Sequence, residues 1–408
     1  PALPLARAFQ RMKLNRPNLC TLIVACLALV GCDETVLVKP RQLGAPPTKE
    51  DNAWGTASYE GRPGEQRLEW TYWRHHWVAE FSGERGTFVR LPDQADERQN
   101  ASGPGMAEPQ SVHPAWDKAC ETAQGHLMCH DARAGILIGV IEQRVGRVCL
   151  ATSTDNGATF KFTDLGPNEF EKNHGTYSTF TSLEKCATLI DEQGSAMVVL
   201  AWERVVDIRN AAPGTDTSKL PAESRDGWKV ETLLVKDGEV KRQTLADWSA
   251  DQFVSAIRLS HARGRFWAAI TGRAVWAWNM DRTGKLIPLR QLPDSKSTSL
   301  ALIVAHGDGA FVTWGDSRKS HRVGFPGPWE LPRSKHTQIA VCEIRPDKVG
   351  PTVLITPPDY CASLLAAGGT REGPSLCWSL RKIDPDDVTK FDKNDPIRIQ
   401  EYTLRSSK

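Results

Sequence analysis

Residues 153–160 read Ser-Thr-Asp-Asn-Gly-Ala-Thr-Phe and directly follow the apolar run Val148–Thr152. In such a turn the Asp155 carboxylate accepts hydrogen bonds from backbone N–H groups of its own loop. Gly157 adopts a positive φ at no steric cost, and Phe160 buries its ring between adjacent strands. The stretch therefore predicts a locked hairpin between two β-strands.

The same residues resemble the Asp-box, or BNR repeat, of sialidases and related β-propellers, whose pattern is Ser/Thr-x-Asp-x-Gly-x-Thr-Phe/Trp. All defining positions are filled, by Ser153, Asp155, Gly157, Thr159 and Phe160. The resemblance implies a propeller in which the box holds a turn at the periphery of a blade, so it indicates a fold without a reaction. Ordinary Asp/Gly turns are the alternative for three weaker echoes of the box, at Ser224–Trp228, Met280–Lys285 and Arg345–Gly350.

Short apolar or alternating runs recur between turn residues along most of the chain, as expected of β-strands. The clearest runs are Leu68–Trp73, Trp77–Phe81, Ile136–Ile141, Val148–Thr152, Ala196–Trp202, Phe266–Ile270, Ala274–Trp278, Ala310–Trp314, Ile339–Ile344 and Leu376–Leu380. Glycines precede four runs in the same way, with spacings of 59, 70 and 45 residues, at Gly135, Gly194, Gly264 and Gly309.

A period of roughly 50 to 60 residues with several strands per period is typical of four-stranded propeller blades. We therefore expect an all-β, six-bladed, sialidase-like β-propeller. The closing strand is expected at Ile397–Leu404, paired with an N-terminal strand that shuts the ring. A pair of sandwiches or an open array of sheets is the alternative.

The N-terminal region contains the parts of an export signal, with Met12 as the expected start of translation. A short basic segment with Lys13 and Arg16 precedes the apolar run Leu19–Val30, which is too short to span a bilayer. We therefore expect residues 1–31 to be a signal peptide.

The end of that run, Leu29–Cys32, resembles the lipobox of bacterial lipoproteins, in which the cysteine is acylated and becomes the first residue. The resemblance implies a lipid such as palmitate on Cys32 and a folded body in the bacterial cell envelope. By resemblance to enteric lipoproteins Asp33 favours the inner membrane, yet inner and outer membrane both stay open. An ordinary secreted protein, or an anchor helix with an incidental cysteine, is the alternative.

Residues 32–64 are rich in Pro, Gly, Ala, Thr and charged residues with little periodicity, which predicts a flexible tether after the lipidated cysteine. We expect the propeller domain to occupy residues 65–408. Loops on the blades are expected at four longer polar stretches, Pro92–Pro114, Asp207–Gly227, Lys319–Lys335 and Asp384–Pro396.

Charge and cysteine content restrict the classes of partner. Removal of residues 1–31 leaves 47 basic and 49 acidic residues, so the mature chain is nearly neutral. No basic block remains to neutralise a phosphate backbone, which argues against nucleic acid as a partner. The expected partners are the membrane, through the N-terminal lipid, and a glycan or an envelope protein.

Seven cysteines follow Cys32, and this odd number leaves at least one without a disulfide partner in the chain. In an oxidising envelope the near neighbours are expected to pair first, Cys120 with Cys129 and Cys361 with Cys377, although the connectivity stays open. Their spacings match neither a zinc site nor a haem attachment pattern, so we expect no metal and no cofactor.

A sialidase, by the same resemblance, needs three arginines for the substrate carboxylate, a tyrosine nucleophile with a glutamate, and an aspartate as acid/base. Arg90 opens an Arg-Leu-Pro segment where that family has Arg-Ile-Pro, but Val89 replaces the preceding aromatic residue. Trp314–Arg318 resembles the Trp-x-Asp-x-Arg segments of BNR-repeat proteins, which makes Asp316 and Arg318 candidates for the central mouth. A strand that ends at a proline and an Asp/Arg pair that holds a turn are the structural alternatives.

These observations favour a lipid-anchored BNR-type propeller that binds a glycan or protein partner in the cell envelope. An exo-α-sialidase or another glycoside hydrolase on the same fold is the first alternative. A structural component of a larger envelope assembly is the second.

Overall fold

The structure is a computed structural model that describes most of the chain from residue 113 onward. The described ranges are 113–208, 225–249, 253–295, 298–316, 338–370, 373–384 and 398–405, with residues 216, 219–221 and 392. Upstream it describes the backbone of six strands, at residues 36–37, 41–44, 57–62, 65–72, 75–82 and 85–90.

The strands form six antiparallel sheets that follow one another along the chain as blades 1 to 6. Blade 1 contains β3 (Ala57–Arg62), β4 (Glu65–Tyr72), β5 (His75–Ser82) and β6 (Arg85–Arg90). Blade 2 contains β7 (Gly125–Arg133), β8 (Ile136–Gln143), β9 (Arg147–Ser153) and β10 (Lys161–Pro167). Blade 3 contains a short β11 (Phe170–Asn173) beside β12 (Ser178–Ile190), β13 (Ala196–Asp207), β14 (Gly227–Lys236) and β15 (Glu239–Ser249).

The last three blades repeat this up-and-down order. Blade 4 contains β16 (Ala256–Ala262), β17 (Arg265–Thr271), β18 (Val275–Asp281) and β19 (Leu286–Gln291). Blade 5 contains β20 (Thr298–His306), β21 (Gly309–Asp316), β22 (Gln338–Ile344) and β23 (Val349–Leu354). Blade 6 contains β24 (Tyr360–Thr370), β25 (Gly373–Lys382) and β26 (Arg398–Arg405), completed by β1 (Val36–Leu37) and β2 (Arg41–Gly44).

The first strands of successive blades lie side by side around a common centre. From blade 2 to blade 6, the strands β7, β12, β16, β20 and β24 contact one another in this order. The ring continues because β24 also contacts β3 of blade 1. Six separate radial sheets confirm the predicted all-β, six-bladed propeller and exclude a pair of sandwiches. The ten apolar runs that predicted strands all coincide with strands.

The two ends of the chain meet in blade 6. Val36 of β1 pairs with Arg405 of β26, and Arg41 of β2 pairs with Glu401 of the same strand. The expected closing strand, Ile397–Leu404, therefore corresponds to β26 and pairs with N-terminal strands as predicted. Three strands, β1 to β3, fall within residues 32–64, where we expected a flexible tether. The blades accordingly begin before residue 65, because this segment supplies backbone partners for β26 and β4.

Apolar side chains fill the spaces between blades. Successive residues of a strand point to opposite faces, so a strand between two blades is apolar on both sides. In β13, Val198 and Leu200 pack with blade 2, whereas Met197 and Val199 pack with blade 4. All four are fully buried, and burial of each such side chain stabilises the fold by about 1.5–3 kcal/mol.

The turns between strands explain why glycines recur before the apolar runs of the sequence. Gly135, Gly194 and Gly264 have φ values of 80°, 81° and 74° and lie in the turns between the first and second strands of blades 2, 3 and 4. Gly309 begins the second strand of blade 5. A residue without a Cβ adopts this positive φ without strain, which explains the glycine in these three turns; in blade 5 the positive φ, 58°, belongs to Gly307.

One helix, α1 (Ala115–Ala123), was missed by the sequence pattern. Its Trp116 is 1% exposed and packs with Leu137, Ile141 and other residues on the face of blade 2 that is turned away from blade 3. The helix ends at Gln124 in a left-handed conformation with a φ of 52°. Among the described residues, no helix has the length and apolar character needed to cross a lipid bilayer.

The predicted disulfide between Cys120 and Cys129 is wrong, since both residues are free thiols. Cys120 packs on the α1 side of blade 2, while Cys129 packs on the opposite side against blade 3. Cys361 and Cys377 are also not joined, because the register places Cys361 opposite Arg381 and Cys377 opposite Ala366. Nearness in sequence therefore did not make the members of either pair partners in the fold.

Candidate functional site

The alternating strand direction gives the propeller two different faces. The Asp-box face carries the turns between first and second strands and between third and fourth strands. Asn156 N donates to Gly135 O at 2.8 Å, which joins these two kinds of turn in blade 2. The connection face carries the turns between second and third strands and the links from one blade to the next.

The Asp-box closes the β9–β10 turn by hydrogen bonds among its own residues. The Thr159 backbone N–H and hydroxyl donate to Asp155 at 3.0 and 2.6 Å. The Ser153 hydroxyl donates to Asp155 at 2.7 Å and accepts from Gly157 N at 2.9 Å. The hydrogen bonds that Asp155 accepts lower its pKa to about 2, and the bond from the Thr159 hydroxyl has the largest effect. The ring of Phe160 lies 5.3 Å from that of Trp116 in α1.

The echo at Met280–Lys285 has the same kind of closure in blade 4. Asp281 Oδ1 accepts from Thr283 N at 2.9 Å, from the Thr283 hydroxyl at 2.6 Å and from Lys285 N at 3.0 Å. Burial acts to raise the pKa of Asp281, but these hydrogen bonds lower it overall. The echo at Ser224–Trp228 differs, because Asp226 accepts from Val206 N at 2.6 Å on the connection face.

A charged cluster joins blades 3 and 4 on the Asp-box face. Arg282 Nε lies 2.5 Å from Asp191 Oδ2, and its Nη2 lies 3.7 Å from Glu192 Oε2. The His261 side chain is 5% exposed and places Nδ1 3.2 Å from Glu192 Oε2. Burial lowers the pKa of His261, against the opposing effect of the two carboxylates. The ion pairs of Arg282 with the two carboxylates join blades 3 and 4, so they serve the fold.

The strand that precedes each of the four long polar stretches ends on the connection face. Three of them link second to third strands, in blade 3 after β13, in blade 5 after β21 and in blade 6 after β25. The fourth links blade 1 to blade 2 through α1. Most of their residues lie outside the described ranges. Loops placed on a rigid scaffold are common positions for binding residues, so this face is the candidate functional site.

The exposed large apolar side chains also gather on the connection face. Six such residues in the described part of the chain are between 36% and 70% exposed: Val145, Phe170, Val205, Ile208, Phe253 and Leu354. Each lies in, or at a strand end next to, a connection on this face. Their placement on one face makes that face the candidate for an interaction surface.

Aromatic residues concentrate on both sides of blade 3. The rings of His174 and Tyr177, in the link from blade 2, are stacked with centroids 4.6 Å apart. His174 Nε2 lies 3.2 Å from the Thr179 hydroxyl. Phe253, in the link to blade 4, makes an edge-to-face contact with Trp228 at 5.6 Å. Sequence reasoning missed these residues, since their only signal was an isolated aromatic residue within a polar connection.

Two of the candidate residues predicted from the sequence, Arg90 and Asp316, lie at strand ends on this face. Arg90 ends β6 and Asp316 ends β21, and both strand ends point to the connection face. Asp316 is buried, with 4% of its surface exposed. Arg318, Cys32 and the side chains of Arg90 and Cys377 lie outside the described residues. No group of three His, Cys, Asp or Glu residues suited to a metal ion occurs in the described part.

The strand order and the two unlike faces define a six-bladed β-propeller. No protein-family model matches the chain, and no curated protein matches its sequence. Solved structures similar to it include the lectin of the fungus Aleuria aurantia, described as a six-bladed β-propeller with a novel fucose recognition mode. The two share 9% identity over 86% of this chain and 96% of the lectin, with a TM-score of 0.36.

Two enzymes are similar at the same level. The phage phi92 endosialidase shares 10% identity over 91% of this chain and 69% of its own, with a TM-score of 0.36. A luciferin-regenerating enzyme shares 10% identity over 91% of this chain and 97% of its own, with a TM-score of 0.34.

Proposed function

We propose that this protein is a lipid-anchored β-propeller of a bacterial cell envelope that binds a glycan on its connection face. The observation that carries the proposal is the gathering of exposed apolar and aromatic side chains on that one face. The anchor is supported by the signal-like residues 1–31 and the lipobox-like ending at Cys32.

Glycan binding is supported by the chemistry around blade 3. Sugar rings present flat C–H faces to aromatic rings and hydroxyl groups to polar side chains. Phe170 and Phe253 offer exposed phenyl rings in the links on either side of this blade. The stacked pair of His174 and Tyr177 adds a polar group beside an aromatic surface. Such a combination of apolar body and polar edge is common in ligand sites.

A protein partner is the second candidate. Val145, Val205, Ile208 and Leu354 are aliphatic and exposed on the same face, and aliphatic patches suit a protein surface better than a sugar. A glycoside hydrolase is the third, and it requires arginines together with a tyrosine–glutamate pair around the central mouth. Asp316 and Arg318 are the residues that would take part in it.

A glycan array probed with the purified mature domain, followed by titration calorimetry of any hit, tests the proposal. We expect Phe170→Ser and Phe253→Ser to weaken binding at least about tenfold, or about 1.4 kcal/mol, and Lys236→Ser on the Asp-box face to leave it unchanged. Binding of an envelope protein without binding of any glycan would favour the second candidate. Turnover of a fluorogenic sialoside that is lost in Asp316→Ala and Arg318→Ala would favour the hydrolase.

The anchor is tested separately by labelled palmitate in growing cells. We expect the wild type to incorporate the label and Cys32→Ala to incorporate none. Equal labelling of both proteins would contradict the assignment of Cys32.

A further inference from the structure

The register of strand pairing fixes where the N-terminal segment lies along β26 of blade 6. Val36 pairs with Arg405, at the end of β26, and Leu37 pairs with Leu404. Further along the chain, Gly44 pairs with Ile399, near the start of β26. The N-terminal segment therefore enters at the end of β26 and runs toward its beginning.

The end of β26 lies on the Asp-box face. Its Thr403 pairs with Ser375 of β25, close to the Thr370–Gly373 turn that links the first and second strands of blade 6. Turns between first and second strands belong to the Asp-box face in every blade. Arg398, at the other end of β26, lies at the connection face. Val36 is thus located at the edge of the Asp-box face.

The distance from the lipid site to this edge is short. Only Asp33, Glu34 and Thr35 separate Cys32 from Val36, and four fully extended residues reach at most about 14 Å. The eight residues of β26 span about 27 Å from one face to the other. Cys32 consequently cannot reach the level of the connection face while Val36 is paired.

We propose that the Asp-box face lies against the lipid headgroups of the anchoring membrane and that the connection face points away from it. The proposal rests on the lipid anchor at Cys32 put forward above. It adds an orientation, because an acyl chain attached so close to one edge of a rigid ring holds that side of the ring near the bilayer.

The composition of the two faces suits this arrangement. Turns on the Asp-box face carry exposed charges of both signs, among them Lys236, Asp237, Arg263 and Asp308. None of the six exposed large apolar residues of the described chain lies on this side. A polar face rests on hydrated headgroups without entering the hydrocarbon, and the exposed apolar residues of the connection face stay accessible to a partner.

Resonance energy transfer from the acylated full chain to a headgroup-labelled lipid tests the orientation. A donor dye is attached through a bio-orthogonal amino acid at Lys236, on the Asp-box face, or at Val145, on the connection face. The proteins are reconstituted in vesicles of phosphatidylethanolamine and phosphatidylglycerol. We expect at least about twofold higher transfer efficiency from position 236. Equal transfer, or higher transfer from position 145, would overturn the orientation.

A spacer variant provides the matched control. Insertion of twenty Gly/Ser residues between Thr35 and Val36 should keep the protein on the vesicles but bring the two transfer efficiencies together. A difference that persists with the spacer would show that the anchor length does not orient the ring. Palmitate labelling and vesicle binding of wild type and Cys32→Ala separate the two proposals. Equal results for both proteins would overturn the anchor and the orientation together, whereas loss of both only in Cys32→Ala leaves the transfer experiment to decide the orientation alone.

Discussion

The Cα of Gly157 lies so close to Ala115 that a methyl group on it would come within 2.1 Å of the Ala115 Cβ. The Asp-box turn and the start of α1 therefore fit together only with glycine at this position. A sequence motif for a turn thus also determines where the helix is placed.

Gly157→Ala is expected to destabilise the fold by the cost of a positive φ, about 1–2 kcal/mol, plus about 1–3 kcal/mol for the collision. Gly238→Ala is the matched control, since Gly238 has a φ of 76° and no neighbour within 4 Å of an added Cβ. Urea unfolding of both variants measures the difference. Equal losses of stability would contradict the close packing against α1.

The Asp155 carboxylate is expected to stabilise the fold only when it is ionised. Its pKa is lowered to about 2 from the ordinary 3.8, so its contribution is present above pH 4 and is lost as the pH falls toward 2. The free energies of unfolding of wild type and Asp155→Asn should therefore differ at pH 6 and converge near pH 2. A difference that does not change with pH would contradict this role.

Glu231 is expected to be the costliest single ion-pair residue to replace. It is 2% exposed, accepts from Trp202 Nε1 at 2.9 Å, and pairs with Lys229 and Arg242. Glu231→Leu leaves three donors without their acceptor, and we expect a loss of about 3–5 kcal/mol in urea unfolding. Asp308→Asn, which breaks an exposed pair with Arg263, should cost less than about 1 kcal/mol.

His261 is expected to make stability fall in mild acid. Burial holds its folded-state pKa below the ordinary 6.5, so below that pH the unfolded chain takes up a proton that the folded chain does not. Melting temperatures should fall between pH 7 and pH 5 more steeply for the wild type than for His261→Gln. Parallel curves for the two proteins would refute the buried neutral imidazole.

The Cys149 and Cys342 thiols are expected to be inert in the folded protein. Burial raises their pKa values to about 11 and about 12, so neither forms a thiolate near neutral pH. Iodoacetamide at pH 8 followed by peptide mapping should find both unmodified until the protein is unfolded. Modification of either residue in the native protein would show that its strand opens locally.

Much of the fold was accessible from the sequence because its signals are local. Runs such as Ala196–Trp202 are apolar on both faces of a strand, and glycines such as Gly194 mark the turn before them. The pairing of β26 with an N-terminal strand was also predicted, since a ring of blades needs one. The short strands β1 to β3 were not predicted, because the composition of residues 32–64 is typical of a linker.

Features that depend on the direction of side chains could not be predicted from the sequence. The pairing of Cys120 with Cys129 failed because a helix and a strand placed them on opposite sides of one blade. Helix α1 was missed since its nine residues adjoin a long polar stretch. Phe170 and Phe253 became candidates only when the strand order put their separate connections on the same face.

The pairing of β26 with β1 and β2 has a consequence for biogenesis. Arg405 is translated 369 residues after Val36, so these two partners can meet only after all the intervening blades have been synthesised. Until then β1 and β2 lack their partner strand β26, and their exposed strand edges can pair with wrong strands. Closure of blade 6 thus has to wait until β26 has been synthesised.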